Sequence, residues 1–135
     1  MEKVNITICV AKDGFYAAYC NDEPSLFGGG ETPEDAKNEL LETLALTKEI
    51  GREKSFKYPD WLDGEFEFVT HWDIQSLLEY YSGILTPTAL SRVSGIHPKQ
   101  LWAYQHGLSR PRRKQIERIQ SAVHKLGQEL INSVF

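Results

Sequence analysis

Cysteine is scarce in this sequence, and the metal-binding pairs that it often forms are absent. The 135 residues contain two cysteines, Cys9 and Cys20, and no CxxC motif. The four histidines also lack the spacing of zinc ligands. We therefore expect no disulfide framework, no metal site and no cofactor. Both cysteines are interpreted as small apolar side chains buried in strands.

Long apolar runs are absent as well. No stretch approaches the roughly 18 consecutive apolar residues that a membrane span needs. The first residues, MEKVNITICVAKDG, contain charged side chains and no uninterrupted apolar core, so we expect no signal peptide. A cytoplasmic protein without a membrane partner is the resulting expectation. Its 135 residues suffice for one domain or two small ones.

Charge is divided unevenly along the chain. Residues 1–72 contain 7 Lys+Arg and 15 Asp+Glu, a net charge of −8, whereas residues 73–135 contain 8 Lys+Arg and 4 Asp+Glu, a net charge of +4. The two values add to the formal charge of −4 for the whole chain. This asymmetry predicts two modules with different partners, and the basic module is the one suited to nucleic acid.

The first half of the chain shows the period of two that is typical of strands. VNITICVAK alternates apolar and polar residues, FYAAYC and LFGGGE follow as shorter candidates, and EFEFVTHW alternates again. Asp13 and Gly14 predict a two-residue hairpin turn, which would place Val10 opposite Ala17.

A helix is predicted between the third and fourth strands. Thr32 can cap its start, Pro33 suits its first position, and Gly51 is predicted to end it. The glycines at 28–30 match no phosphate-binding loop and indicate a bend or bulge. Residues 1–72 are therefore predicted to form a β-β-β-α-β module.

The period becomes helical after Trp72 and stays helical to the end. Four helices are predicted, and two of them are short and joined by a tight turn at residues 95–97. The last helix is predicted to open at residues 109–111 and to run to about Ser133. Residues 73–135 therefore form an all-α domain, and the fold class of the whole chain is α+β.

The two short helices resemble a known DNA-binding motif. The pattern ALSRVSGIHPKQLWAYQHGLSRP resembles the helix-turn-helix of phage-repressor-like regulators. Its core positions are occupied by Leu90, Gly95, Ile96, Leu101 and Tyr104. The resemblance covers about residues 73–125 and implies that residues 98–106 form the recognition helix. An αα-hairpin with a solvated polar face is the alternative.

Ten residues are predicted to contact DNA. They face outward from the short helices or belong to the basic cluster at the start of the last helix: Thr88, His97, Lys99, Gln100, Ala103, His106, Arg110, Arg112, Arg113 and Lys114. Gln can pair with adenine and Lys with guanine in the major groove. Cations at a helix N-terminus are disfavoured by the helix dipole unless an anion such as a DNA phosphate completes the site. A solvated charge run is the alternative for the cluster.

The last helix contains an apolar seam with spacing 3-4-3-4. Its members are Ile116, Ile119, Val123, Leu126 and Leu130. Such a seam is typical of helices that pair in coiled coils. We expect the first half to pack within the domain. The second half either pairs with a second copy, which would give a homodimer or higher homo-oligomer, or is buried within one subunit.

The first module has a resemblance of its own. DGFYAAYCNDEPSLFGGGETPEDAKNELLETL resembles the HicB-type antitoxins of bacterial toxin–antitoxin systems. The matching positions are Asp13, Gly14, Tyr16, Pro24, Gly30, Thr32 and Ala36. The resemblance implies a partial ribonuclease-H-like module that neutralises a small basic ribonuclease toxin of the HicA type by covering its active surface. It also implies that the second module represses the operon by binding its own promoter DNA.

A nuclease and a stand-alone transcription regulator are the two alternatives to an antitoxin. A nuclease of the ribonuclease H kind would need three or four carboxylates that converge on magnesium, and the first strand has no acid in its middle. No GxSxG or HExxH motif occurs, so we expect no enzymatic activity. A stand-alone transcription regulator, whose first module senses a ligand or dimerises, stays open as the alternative.

Overall fold

We describe the protein from a computed structural model that covers all residues from 1 to 135. The chain divides into two compact units, Met1–Asp73 and Ile74–Phe135, which we call the first and the second unit. The α+β class expected from the sequence is confirmed, because the chain combines a four-stranded mixed sheet with five α-helices.

The first unit is built on the sheet. Its elements in chain order are β1 (Glu2–Val10), β2 (Tyr16–Cys20), β3 (Phe27–Gly30), α1 (Pro33–Lys54), a short 3-10 helix (Asp60–Asp63) and β4 (Phe66–Trp72). The strand order is β3-β2-β1-β4. β1 is antiparallel to β2 and parallel to β4, and β2 is antiparallel to β3.

The hairpin between β1 and β2 is one residue longer than the sequence pattern predicts. Ala11 donates its N–H to the Phe15 carbonyl at 2.8 Å, and Gly14 donates its N–H to the Ala11 carbonyl at 3.0 Å. Gly14 has φ +86°, a left-handed conformation that glycine adopts without steric cost. A turn followed by one left-handed residue is a common three-residue hairpin loop.

The longer loop changes the strand register. Val10 pairs with Tyr16 rather than with Ala17, so the predicted register is wrong by one residue. The alternation of faces along β1 is as the sequence indicates, because Val4, Ile6 and Ile8 are buried.

α1 lies against the sheet and is longer than predicted. Thr32 caps its start, with Oγ1 accepting a hydrogen bond from Asp35 N–H at 3.1 Å. Gly51 does not end the helix, since helical structure continues to Lys54. A Cβ at Gly51 would overlap the ring of Tyr58, so glycine permits close packing there. The helix ends at Ser55, which has φ 55°.

The glycines at 28–30 are not a bend or bulge but part of regular strand β3. A Cβ at Gly28 would overlap the backbone of α1 at Ala36 and Leu40. The glycine therefore lets α1 approach β3 closely, and this contact closes the core of the first unit. The core contains apolar residues from β1, β2 and α1, with Leu40 and Leu44 no more than 1% exposed.

The second unit is entirely helical. Its helices are α2 (Ile74–Tyr80), α3 (Pro87–Ser94), α4 (Pro98–Gln105) and α5 (Arg113–Ile131). Their core contains Leu78, Leu90, Ile96, Leu101, Tyr104 and Ile119. α5 begins at Arg113, so the predicted start at residues 109–111 is wrong, whereas its end at Ile131 lies close to the predicted end at about Ser133.

Candidate nucleic-acid interface

The connection between α3 and α4 is short and well anchored. α3 starts at the Thr86 cap and ends at Gly95, which has φ +74° and donates its N–H to the Ser91 carbonyl at 2.8 Å. Ile96 follows and is buried in the core. Arg118 of α5 donates from Nε to the Ser94 carbonyl at 2.9 Å, so α5 holds the end of α3 in place.

The outer face of α4 is formed by residues that point away from the buried Leu101 and Tyr104. This α4 face consists of Lys99, Trp102, Ala103 and His106. Lys99, Trp102 and His106 are exposed and Ala103 is half-buried. The face is open to a partner without any rearrangement of the core.

Trp102 is the member of the α4 face that sequence reasoning missed. It is 48% exposed, although a large aromatic residue in an apolar-periodic helix suggests a core position. The signal was available, since consecutive helix residues lie about 100° apart and Trp102 directly follows the inward Leu101. Its ring stacks on His106, with ring centroids 4.0 Å apart and planes 24° apart.

His106 is oriented by the same neighbour. Its Nδ1 lies 2.8 Å from the Trp102 carbonyl oxygen, which can only accept, so Nδ1 carries the hydrogen. Nε2 is the ring nitrogen that remains for a partner. The stacked pair is thus a rigid unit that offers an apolar edge and one polar atom.

Two of the predicted base readers already have structural roles. His97 is the N-cap of α4, and its Nδ1 accepts a hydrogen bond from Lys99 N–H at 3.1 Å. Gln100 is half-buried and donates from Nε2 to Ser109 Oγ at 3.3 Å. That bond ties the segment before α5 to α4. The side chains of Lys99 and Trp102 are exposed and are therefore better placed to contact a base than those of His97 and Gln100, which make hydrogen bonds within the protein.

The predicted basic cluster lies at the start of α5 and is exposed throughout. Arg110, Arg112, Arg113 and Lys114 are all exposed. Arg113 Nε lies 3.2 Å from Glu117 Oε1, and because both side chains are more than 60% exposed, this ion pair contributes little to stability. The other three cations form no ion pair. Thr88, the remaining predicted contact, is exposed in the first turn of α3.

The first N–H groups of α5 have no side-chain partner. Arg112 occupies the N-cap position and makes no capping hydrogen bond. The first turn contains no acidic residue. A helix start with free N–H groups and nearby cations is a site for an anion.

The two units treat the helix dipole in opposite ways. α1 has Glu34 and Asp35 in its first turn and Arg52 and Lys54 in its last, as the dipole favours. The first turns of α3, α4 and α5 contain no acid. The positive ends of these three helices therefore face no carboxylate in their own first turn, and only α5 also lacks a side-chain cap.

The first unit presents an acidic surface instead. Exposed acids on α1 are Glu34, Asp35, Glu39, Glu42, Glu49 and Glu53. Only Glu39 has a hydrogen-bond partner in the structure beyond its own helix, since its Oε1 accepts from Gly29 N–H at 3.2 Å. Leu41 and Leu46 flank this acidic α1 face and are 43% and 55% exposed. The face therefore combines negative charge with apolar anchors.

The two thiols are not reactive groups. Burial, together with the carboxylates of Asp22 and Glu23, raises the pKa of the Cys20 thiol, which is 1% exposed. Burial and the Asp73 carboxylate raise the pKa of Cys9. Both thiols therefore stay protonated near neutral pH.

Searches for related proteins add no assignment to this geometry. The structure brings no three His, Cys, Asp or Glu side chains together as a metal site. None of its helices has the length and apolar character to cross a bilayer. No family model, no curated protein and no solved structure matches the chain.

Proposed function

We propose that this chain is an antitoxin of the HicB type, which neutralises a small basic ribonuclease toxin of the HicA type and represses its own operon by binding promoter DNA. In this proposal the second unit is a helix-turn-helix domain with α4 as the recognition helix. The first unit is the partial ribonuclease-H-like module that binds the toxin. The protein acts by binding, in the cytoplasm, and not by catalysis.

The observation that carries the DNA half of the proposal is the start of α5. Arg110, Arg112 and Lys114 surround helix N–H groups that no side chain caps, in a protein that caps α1 and α3 with threonine. A DNA phosphate would accept hydrogen bonds from those N–H groups and would neutralise the cations. The Gln100–Ser109 hydrogen bond ties the segment before α5 to α4 and so supports a joint role of α4 and the start of α5.

The α4 face supplies the groups that read bases. Lys99 can donate to guanine O6 and N7 in the major groove. Trp102 offers an apolar edge that can contact a thymine methyl group, as apolar side chains do in major-groove readout. Phosphate contacts at α5 would fix the position of α4 on the duplex, and α4 would give the specificity.

The acidic α1 face supports the toxin half. A ribonuclease that binds RNA needs a basic surface, and an acidic partner with complementary potential can cover it. Leu41 and Leu46 would supply apolar contact area inside the charged rim, because interfaces derive much of their energy from such central residues.

The seam of α5 supports self-association through its far end. Ile119 is 1% exposed and Val123 packs against the core of the second unit, so the first half of the seam is used within one subunit. Leu130, the last member of the seam, is 60% exposed, and Ile131 at the end of α5 and Val134 beyond it are 78% and 94% exposed. These residues would pack against the same segment of a second copy and make the DNA-binding form a homodimer.

The experiment that tests the proposal measures two activities on the same set of variants. Fluorescence anisotropy gives affinity for the promoter DNA of the protein's own operon, and an RNA-cleavage assay gives neutralisation of the co-encoded toxin. Lys99→Ala should weaken specific DNA binding by about tenfold and leave neutralisation unchanged, because one good base contact is worth about 1–3 kcal/mol.

A variant of the α1 face should show the reverse pattern. Glu42→Lys combined with Leu46→Arg should abolish neutralisation and leave DNA affinity within twofold. The control is Glu65→Lys, which reverses one charge at an exposed site outside the α1 face, as Glu42→Lys does within it. Loss of DNA binding in the α1 variant with neutralisation intact would refute the assignment of the two units.

A further inference from the structure

One edge of the sheet is left long and unprotected. β4 is the last strand on its side and pairs with β1 alone. Its seven residues, FEFVTHW, contain no proline and no lysine, and its register with β1 runs without a bulge. Edge strands usually carry such protection, because their free N–H and C=O groups recruit other strands.

The opposite edge of the sheet shows the contrast. β3 has only four residues, and three of them are glycines. Gly28 and Gly30 lie so close to α1 that no Cβ would fit. That edge is therefore short and backed by a helix, whereas β4 has seven residues in regular strand conformation.

The side chains of β4 form one aromatic face and one polar face. Phe66, Phe68 and Trp72 pack against the core of the first unit and are only partly buried. Phe66 also contacts Phe68 and Trp61, with ring centroids 5.8 Å and 5.0 Å apart. The aromatic row therefore reaches the edge of the sheet and is incompletely covered in a single copy.

We propose that β4 pairs antiparallel with β4 of a second copy of this chain, about a two-fold axis at Val69. Two four-stranded sheets would then join into one continuous sheet of eight strands. The pairing is Phe66 with Trp72, Glu67 with His71, Phe68 with Thr70, and Val69 with its own equivalent.

The sequence of β4 is complementary to itself in this register. Each Glu67 lies opposite His71, the only basic side chain of the strand, and the contact must form beside the existing one between His71 Nε2 and Asn5 Oδ1 of β1, which are 2.9 Å apart. The two Phe66–Trp72 pairs extend the aromatic row across the new interface. Aromatic and opposite-charge pairs directly across strands each contribute about 0.2–1 kcal/mol, and the two-fold axis makes every unlike pair occur twice.

Other registers are worse for identifiable reasons. An axis at Thr70 would place Glu67 opposite Asp73, two acids that repel each other. An axis at Phe68 would leave only five strand residues paired among themselves and would place Glu67 opposite Val69. A shift of one residue in the pairing would set the aromatic face of one copy beside the polar face of the other.

This self-association is independent of the proposed function, since it requires neither toxin nor DNA. It also differs from the contact proposed for the end of α5. Two different two-fold contacts in one chain would build a tetramer or a larger assembly.

A cysteine at the axis tests the register directly. The background is Cys9→Ser, with Cys20 kept because it is 1% exposed. Val69→Cys in the full-length protein should form a covalent dimer under mild oxidation, because opposite residues of an antiparallel pair have Cα atoms about 4.5–5.5 Å apart, within reach of a disulfide.

Two control cysteines show how much cross-linking arises without the proposed pairing. His71→Cys should not cross-link, since its two copies would lie about 13 Å apart along the strands. Lys12→Cys in the exposed hairpin loop measures random collision. Cross-linking of Val69→Cys that does not exceed that of Lys12→Cys would overturn the proposal.

A charge swap tests the Glu67–His71 pair. Glu67→Lys and His71→Glu each place like charges, or charges without a partner, across the interface, and each should weaken the contact about tenfold as measured by the rate of the Val69→Cys cross-link. The double variant restores opposite charges and should recover most of that rate. Circular dichroism checks that each variant folds. A double variant no better than the single ones would overturn the register.

Discussion

At the scale of single residues, glycine decides how closely helix and sheet can approach. Gly28 and Gly29 are neighbours in strand β3 and both have an extended backbone, but the atoms near their Cα atoms differ. A Cβ at Gly28 would overlap the α1 backbone, whereas a Cβ at Gly29 would lie 3.5 Å from the Tyr16 carbonyl oxygen, an ordinary contact. The two positions therefore form a matched pair.

Gly28→Ala should destabilise the protein by about 3 kcal/mol, because the added methyl group forces β3 and α1 apart. Gly29→Ala should change stability by less than about 1 kcal/mol, since the methyl group fits and the unfolded chain loses entropy. Urea unfolding followed by circular dichroism measures both. Equal effects of the two substitutions would contradict the close approach of α1 to β3.

Trp102 carries a second prediction at the residue scale. Trp102→Ala removes an exposed ring from the α4 face and releases its partner His106, so specific DNA affinity should fall about tenfold, within the range of one lost base contact of about 1–3 kcal/mol. Stability should hardly change, since the ring is 48% exposed. Ile84→Ala, at a residue that is 75% exposed outside the α4 face, is the control for DNA binding measured by anisotropy. An equal loss in both variants would argue against a role of Trp102 in DNA contact.

At the scale of elements, the sequence predicts which elements exist better than where they end. The strands of the first unit and the four helices of the second follow from periodicity, because alternation and helical spacing extend over many residues. The register of the hairpin cannot be predicted in this way. Loops of two and of three residues both place glycine at a left-handed position, so Asp13-Gly14 does not reveal the loop length. Gly51 was misread as a stop because sequence alone does not reveal the ring of Tyr58 against it.

The same limit applies to the candidate site. The basic cluster is recognisable from sequence as a charge run, and all four of its cations are exposed in the structure. The capping role of His97 and the Gln100–Ser109 bond depend on where the next segment folds back, which no local pattern contains. Trp102 was not among the predicted contacts, although its position next to the inward Leu101 places it on the outer face of α4.

The segment that follows α1 contributes a pH-dependent contact. Asp63 Oδ1 accepts hydrogen bonds from the Tyr58 hydroxyl at 2.9 Å and from Arg52 Nη2 at 3.0 Å. These bonds, that of Tyr58 first, hold the pKa of Asp63 below its ordinary value of 3.8. A carboxylate whose pKa is lowered by folding stabilises the protein above its unfolded pKa, and this contribution is lost as pH falls through the folded pKa.

Asp63→Asn should therefore lower the melting temperature at pH 7, and this effect should shrink as pH falls below 3.8 and through the lowered pKa of Asp63, where the native carboxyl group becomes protonated as well. Thermal unfolding across a pH series measures the difference. Asp60→Asn, at an exposed acid of the neighbouring 3-10 helix, is the control. An effect of Asp63→Asn that is independent of pH would contradict an electrostatic role.

The end of α5 carries a prediction about assembly. Leu130→Glu places a charge in the proposed helix contact. The molar mass of the oligomer measured by light scattering should therefore be halved. Stability of the subunit should be nearly unchanged, as Leu130 is 60% exposed. Gln120→Glu, at an exposed position of the same helix, is the control. An unchanged mass for Leu130→Glu would exclude this segment from the interface.

The dimer that this contact would form has a consequence on DNA. Two helix-turn-helix domains should protect two half-sites about 10 bp, or a multiple of that, apart. Leu130→Glu should shorten the footprint to one half-site at limiting protein. A full footprint with the Leu130→Glu variant would place the contact that joins the two DNA-binding domains elsewhere.

At the scale of the whole molecule, net charge, periodicity and the presence of acids at helix starts all change at the same point in the chain. Acids dominate residues 1–72 and cations dominate residues 73–135. α1 has two acids in its first turn, and the first turns of α3, α4 and α5 have none. An acidic unit suits a basic protein partner and a basic unit suits nucleic acid, so the two halves of the proposed function coincide with the two structural units.

The central claim is that the cations at the start of α5 contact DNA phosphates, and the salt dependence of DNA binding tests it most directly. The logarithm of the association constant falls linearly with the logarithm of salt concentration, by about 0.9 per phosphate contact. Arg112→Gln with Lys114→Gln should therefore make this slope shallower by up to about 1.8 and leave toxin neutralisation intact. Arg113 is kept because it pairs with Glu117.

The control removes the same two charges at exposed sites away from the start of α5, by Lys12→Gln with Lys125→Gln. Our account predicts an unchanged slope for this control and the shallower slope for the Arg112–Lys114 variant, measured on promoter DNA over the same salt series. Equal slopes for the two double variants, or an unchanged slope accompanied by lost toxin neutralisation in the Arg112–Lys114 variant, would contradict it.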